Sequence, residues 1–162
     1  MRTPFFFALT MLAAVEAGAA GLPSSSTAID AGSYTAAGYH PGRVQHIVLF
    51  KYQDSVTAQQ RQEVTRRFLA LKTLCQREGK PYIESIVAGR QNSGEGAARG
   101  LEQGFIVTFA SEGDRNYYVG TPVVSDARYY DPAHAEFKRY VGPLLAGDGG
   151  VLVFDFSEEK QE

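Results

Sequence analysis

Tryptophan is absent from this 162-residue chain, and cysteine occurs only once. A lone cysteine, Cys75, cannot close an intrachain disulfide, so the fold must be held by packing alone. Cys75 has no His or Cys near it at metal-ligand spacing, and it falls on an apolar helical stripe, where a buried thiol behaves as a small hydrophobe. Positive charge is not in surplus. There are 16 Lys and Arg against 18 Asp and Glu, a formal net charge of −2. Such a chain has little with which to neutralise phosphates, which argues against nucleic-acid binding. The pair Arg66-Arg67 belongs to the wet face of a helix. The glycines of "SGEGAARGLEQ" (93–103) match neither G-x-G-x-x-G nor a P-loop, so they read as a strand connection and not as a phosphate cradle. Asn92-Ser93-Gly94 misses the N-x-S/T pattern, so no glycosylation sequon is present.

What is present is a globular composition, 44% hydrophobic and 12% aromatic, of a length suited to one domain. The N-terminus differs in kind. Arg2 precedes an apolar run from Phe5 to Val15, and Ala17-Gly18-Ala19 fits an A-x-A cleavage site. Residues 1–19 therefore read as a secretory signal peptide, which predicts an extracellular protein. The run is about half the length that a membrane span needs. Residues 20–43 are small, polar and turn-rich, and read as a linker without a core of its own.

The folded domain is predicted to start at Val44. "VQHIVLFKY" is a strand whose alternation puts Val44, His46, Val48 and Phe50 on one face, with Ile47 and Leu49 on the other. Both sets are apolar, so both faces must be covered. Residues 54–80 follow as a helix capped by Thr57 or Ser55, with Val64, Phe68, Leu71 and Cys75 at helical spacing, and Gly79 ending it. "YIESIVAGRQN" and "GFIVTFA" are the second and third strands. "SEGDRNYYVG" is a short helix capped by Ser111 and stopped by Gly120 and Pro122. An ordered loop leads to a last helix, "DPAHAEFKRYVGPLL", and "GVLVFDF" is the final strand before the charged tail 158–162. The order β-α-β-β-α-β, with the second helix split, is the ferredoxin-like α+β arrangement. Its open sheet face would be too apolar to stay wet, so a homodimer that packs sheet on sheet is expected.

Four residues stand out chemically. Asp131 is a good N-cap and Pro132 suits the first helical position, which places His134 in the first turn. Phe137, Val141 and Leu144 follow His134 on the inward stripe, and nearby N–H dipoles disfavour its charged form. A neutral imidazole facing a cavity can abstract a proton, and a satisfied core histidine is the alternative. His46 sits in an apolar strand face. Asp155 lies between aromatics in "FDF" and must not be buried unpaired, so a His46–Asp155 pair across the sheet would satisfy both. Tyr118 comes from the short helix.

Five stretches taken together, "HIVLFKYQDSVT", "AGRQNS", "FIVTFASEGDRNYYVG", "YYDPAHAEFKRYVGPLL" and "VLVFDF", resemble the stress-responsive dimeric A/B barrel (Dabb) family over residues 44–157. The resemblance implies two sheets that dimerise into an α/β barrel. Some members have no established chemistry, whereas others are cofactor-free and metal-free polyketide cyclases or dehydratases. By the resemblance, His134 matches the catalytic base, and Tyr118, His46 and the supporting Asp155 match the other site positions. The loop 121–130 is longer than in the cyclases and can act as a lid, with Tyr129 or Tyr130 in position to take the role of Tyr118. The implied function is a cofactor-independent cyclase or dehydratase acting on a polyketide-like carbonyl compound. The alternatives are a non-catalytic extracellular stress or defence dimer, or a binding module for a small hydrophobic or aromatic compound.

Overall fold

The computed structural model describes residues 30–159. The signal peptide expected at 1–19, the first part of the linker and the last residues of the tail lie outside the described residues. Four strands form one antiparallel sheet in the order β4-β5-β1-β6. They are β1 (Pro41–Phe50), β4 (Ile83–Arg90), β5 (Gln103–Ser111) and β6 (Val151–Ser157). Two residue pairs, β2 (Gln76–Arg77) and β3 (Lys80–Pro81), make a small separate hairpin. The helices are α1 (Ala31–Tyr34), α2 (Ala58–Leu74), α3 (Glu112–Val119) and α4 (Pro132–Val141). This is the ferredoxin-like α+β fold, with the second crossover split between α3 and α4.

Alternation decides which residues make the core. From β1, Val44, His46, Val48 and Phe50 are buried against the helices; from β5, so are Phe105, Val107 and Phe109. The amphipathic helix α2 presents Val64, Phe68 and Leu71 to them. Phe68 stacks on Phe105 with ring centroids 3.9 Å apart, and Phe137 of α4 meets Phe68 edge-on at 5.1 Å. Both arrangements suit the ring quadrupole, so this aromatic group is the rigid centre of the domain.

The expected caps form. Thr57 and Gln60 make a reciprocal capping box on α2, and the Ser111 hydroxyl accepts from the Asp114 N–H at the start of α3. The end of α2 differs from expectation. The helix stops at Leu74 with buried Cys75 as its cap, and Gly79, with φ +76°, turns the small hairpin instead. Cys75 adopts an extended conformation (ψ 112°), which takes the chain out of the helix one turn before the glycine.

Residues 30–43, expected to belong to a linker, are also different. β1 already begins at Pro41, and α1 packs on α3 with Thr35 only 2% exposed. The contacts are to backbone oxygens: Asn116 donates to the Tyr34 carbonyl and Arg77 to the Thr35 carbonyl. Gly113 is where the segment comes closest. A Cβ there would lie 1.8 Å from the Ala36 carbonyl oxygen, so the approach requires glycine. His40 is exposed and pairs with Glu112. The open face of the sheet carries Ile47, Val87, Ile106, Leu152, Phe154 and Phe156. Val87 is 60% exposed and Phe154 59%.

Candidate active site

His46, at the middle of β1, lies directly opposite Asp155 on β6. Its Nδ1 sits 2.6 Å from one carboxylate oxygen, so the pair expected across the sheet is formed. The other oxygen accepts from Arg115, which comes down from α3. Burial pushes the Asp155 carboxyl up, but the hydrogen bonds and charges of His46 and Arg115 outweigh it and leave it below the usual carboxylate range. Arg115 escaped the sequence reading because an arginine in the first half of a helix looks like a solvated residue. The available signal was its spacing of three from Tyr118, which puts both on one helix face.

One turn further along α3, Tyr118 is completely buried. Its ring meets His46 edge-on at 5.6 Å and stacks on His134 with centroids 3.7 Å apart and planes 13° from parallel. Its hydroxyl has no hydrogen-bond partner among the described residues, which is uncommon for a buried polar group. Burial raises its pKa well above the ordinary phenol value, so the hydroxyl stays protonated and is a donor.

His134 enters from the first turn of α4. Asp131 holds that turn by accepting from the N–H groups of Ala133 and His134, and the Tyr82 hydroxyl holds Asp131 from below. The His134 Nδ1–H donates to the Tyr118 carbonyl at 2.6 Å. This bond fixes the tautomer and leaves Nε2 as the basic nitrogen. Burial depresses the His134 pKa to about 3, which outweighs the carbonyl contact, so the ring is neutral at any ordinary pH.

The junction of α3 and the loop keeps these groups together. Gly120 takes φ +58°, and a Cβ there would fall 2.7 Å from Cβ of Tyr130, so the turn needs glycine on two counts. Lys138 donates to the carbonyls of Val119 and Thr121, closing the end of α3 from α4. Tyr130 is therefore spent against Gly120, and Tyr129 packs beside Gly32. Of the three candidate tyrosines, it is Tyr118 that touches both histidines. A recess of about 160 Å³ opens beside Asp155 and is lined by Tyr34, Arg115, Asn116 and Val123. Among the described residues, no helix is long and apolar enough to cross a membrane.

The model of the stress responsive A/B barrel domain matches residues 44–158. The chain belongs to this family. Three solved structures share its fold. A protein of Arabidopsis thaliana is 23% identical, with a TM-score of 0.56 over 74% of this chain and 98% of its own. The hydroxynitrile lyase of Passiflora edulis is 18% identical, with a TM-score of 0.58 over 75% of this chain and 98% of its own. A dimeric ferredoxin-like protein of unknown function from Jannaschia is 18% identical, with a TM-score of 0.53 over 72% of this chain and 100% of its own. No curated protein matches the chain. In this A/B barrel domain, the sheet supplies His46 and Asp155, and the two helices of the split crossover supply Tyr118 and His134.

Proposed function

We propose that this A/B barrel protein is a cofactor-independent cyclase or dehydratase acting on a polyketide-like carbonyl compound. His134 removes a proton α to the carbonyl through Nε2, and Tyr118 donates to the oxygen on which negative charge develops. The observation that carries the reading is the pairing of a neutral imidazole of fixed tautomer with a buried hydroxyl that lacks a partner. A depressed pKa makes His134 a weak base, so the reaction needs the hydroxyl to stabilise the enolate. The raised pKa keeps that hydroxyl protonated for the task. His46, anchored by Asp155 and Arg115, orients the Tyr118 ring from the sheet side. The loop 121–130 serves as the lid. Because a hydroxynitrile lyase is among the structural neighbours, cyanohydrin cleavage, which releases cyanide and forms a carbonyl, is tested beside the cyclisation and dehydration.

The protein acts as a homodimer, with a second copy covering the exposed Val87, Ile106 and Phe154. It is secreted after removal of residues 1–19, which suits a free substrate. The test is α-proton exchange in heavy water, followed by NMR for a panel of β-polyketo acids and esters, alongside cyanide release from aryl cyanohydrins. His134→Ala and Tyr118→Phe are each expected to lower turnover by about 100-fold or more. Turnover unaffected by His134→Ala would sink the proposal.

A second reading has its own observation. The Tyr118 and His134 rings stack with no space between them, as in a structural core. A stable, non-catalytic stress or defence dimer would then lose thermal stability in His134→Ala and show no turnover in either form.

A further inference from the structure

Gln103 opens β5 on the helix-covered side of the sheet, followed at alternate positions by the buried Phe105, Val107 and Phe109. An amide at a core position is costly unless its polar atoms are held. Here a directed chain of hydrogen bonds holds them. The Tyr52 hydroxyl, which burial keeps protonated, donates to Gln103 Oε1. Gln103 Nε2 donates to the Thr65 hydroxyl, and that hydroxyl donates to the Arg61 carbonyl. Both hydroxyl protons are thus committed, and the amide is turned with its nitrogen toward α2. One of its two N–H groups has no partner among the described residues.

A cavity of about 130 Å³ lies at this end of the domain, lined by Tyr52, Arg61, Thr65, Arg90, Glu102 and Gln103. A single water needs only about 10–15 Å³. Five buried side-chain polar atoms are without a partner among the described residues. Three belong to Arg77 and Asp114, which face each other in an ion pair, and one is the Tyr118 hydroxyl of the candidate active site. The fifth is Nε of Arg61, whose side chain is on the wall of this cavity. The one carboxylate on the wall, Glu102, is engaged at both oxygens, by Arg61 Nη1 and by the Tyr52 N–H. The wall therefore offers N–H donors, and two guanidinium groups against one carboxylate, to whatever enters.

Thr65, Arg90 and Gln103 also line a groove between α2 and β4 that passes Leu69 and Ala88. Ala88 pairs with the buried Phe105, so the groove is on the helix side, and a second copy seated on Val87, Ile106 and Phe154 leaves it open. Gln103 stands opposite Phe50, four residues along β1 from His46. That is about 13 Å at the rise of a strand, so the cavity is separate from the candidate active site.

We propose that this cavity binds a short-chain monocarboxylate, such as butyrate. The carboxylate accepts from Arg61 Nε–H and Gln103 Nε2–H, and the excess guanidinium charge balances it. The alkyl chain lies in the groove against Leu69 and Ala88, which an inorganic oxyanion would leave unfilled.

The test is titration of the full chain with sodium butyrate, followed by NMR at the side-chain N–H groups of Arg61 and Gln103, with butyramide and sulfate in parallel. Saturable shifts at both groups are expected with butyrate, and binding weaker by about tenfold or more with butyramide and sulfate. Arg61→Lys keeps the charge beside Glu102 but has no Nε–H, and is expected to weaken butyrate by about fivefold or more without unfolding the chain. Gln103→Met, which keeps the side-chain volume, is expected to weaken it by a similar factor. Absence of saturation, an equal response to butyramide or to sulfate, shifts confined to groups elsewhere in the chain, or unchanged binding in Arg61→Lys would overturn the proposal.

Discussion

On the helix-covered side of the sheet, Phe105, Val107 and Phe109 of β5 are fully buried; one residue along the same strand, on the other side, Ile106 is 40% exposed. The covered side holds the aromatic stack and the His46–Tyr118–His134 cluster. The open side is as apolar but has no layer over it. The difference separates two kinds of contribution. On the inner strands β1 and β5, residues of the covered side act through packing already complete in one chain, and residues of the open side act through whatever comes to lie on them; on the edge strand β6, Val151 and Val153 share the covered side but are 51% and 53% exposed. Substitutions on β1 and β5 should therefore divide sharply by strand parity.

The largest effect belongs to the aromatic stack. Phe105→Ala removes a ring that lies 3.9 Å from Phe68 and 5.4 Å from Phe50. A cost of about 3–5 kcal/mol is expected, read from chemical denaturation. A cost below about 1 kcal/mol would mean that the stack is not the centre of the domain.

Acid comes next, through His134. Its pKa is lowered in the folded state, from 6.5 to about 3. The unfolded chain then takes up a proton at a pH where the folded chain does not. The stabilisation is complete above about pH 6.5 and is lost as the pH falls toward 3. Between pH 7 and about 4.5 the loss should be roughly 2–3 kcal/mol. Asp155, whose pKa is lowered from 3.8, contributes at more acid pH, so the two are separable. His134→Asn should flatten the stability profile between pH 7 and 4.5. A profile as steep as that of the unmodified protein would assign the acid sensitivity elsewhere.

Gly113→Ala is expected to have an intermediate effect. The new methyl group collides with the Ala36 carbonyl and forces residues 30–40 off α3. A cost of about 1–2 kcal/mol is expected, with faster amide exchange confined to α1 and α3. Unchanged exchange in α1 would show that this segment does not depend on the close approach.

These cases also show how far the chain could be read from its residues. Alternation in "VQHIVLFKY" put His46 on one face with Val44, Val48 and Phe50 but did not say which face the helices cover; the histidine and carboxylate predicted the His46–Asp155 pair, because two such groups cannot be buried apart. Asp131 and Pro132 announced where α4 begins and so where His134 sits. The packing of residues 30–43 was not legible. It runs through the carbonyls of Tyr34, Thr35 and Ala36, and a backbone oxygen leaves no trace in side-chain pattern. The end of α2 was misplaced because glycine signals a turn without saying which kind. Gly79 turns a hairpin here, and the helix stops one turn earlier at Cys75. Arg115 was missed because its partner, Asp155, lies 40 residues away on the far edge strand.

Phe154→Ala is the smallest expected effect on the single chain and the sharpest test of the contrast. Phe154 is 59% exposed, and its near neighbour is another open-face ring, Phe156, at 6.1 Å. Removing it should change the folding free energy of an isolated chain by no more than about 0.5 kcal/mol, an order of magnitude less than Phe105→Ala. If a second copy covers this face, the same substitution should raise the dimer dissociation constant, and Phe154→Lys should abolish the dimer, since a charge buried between two sheets without a partner is strongly unfavourable. The two quantities are separable by sedimentation across a range of protein concentrations. Folding lost together with the dimer would mean that the open side, like the covered one, is part of what holds a single chain together.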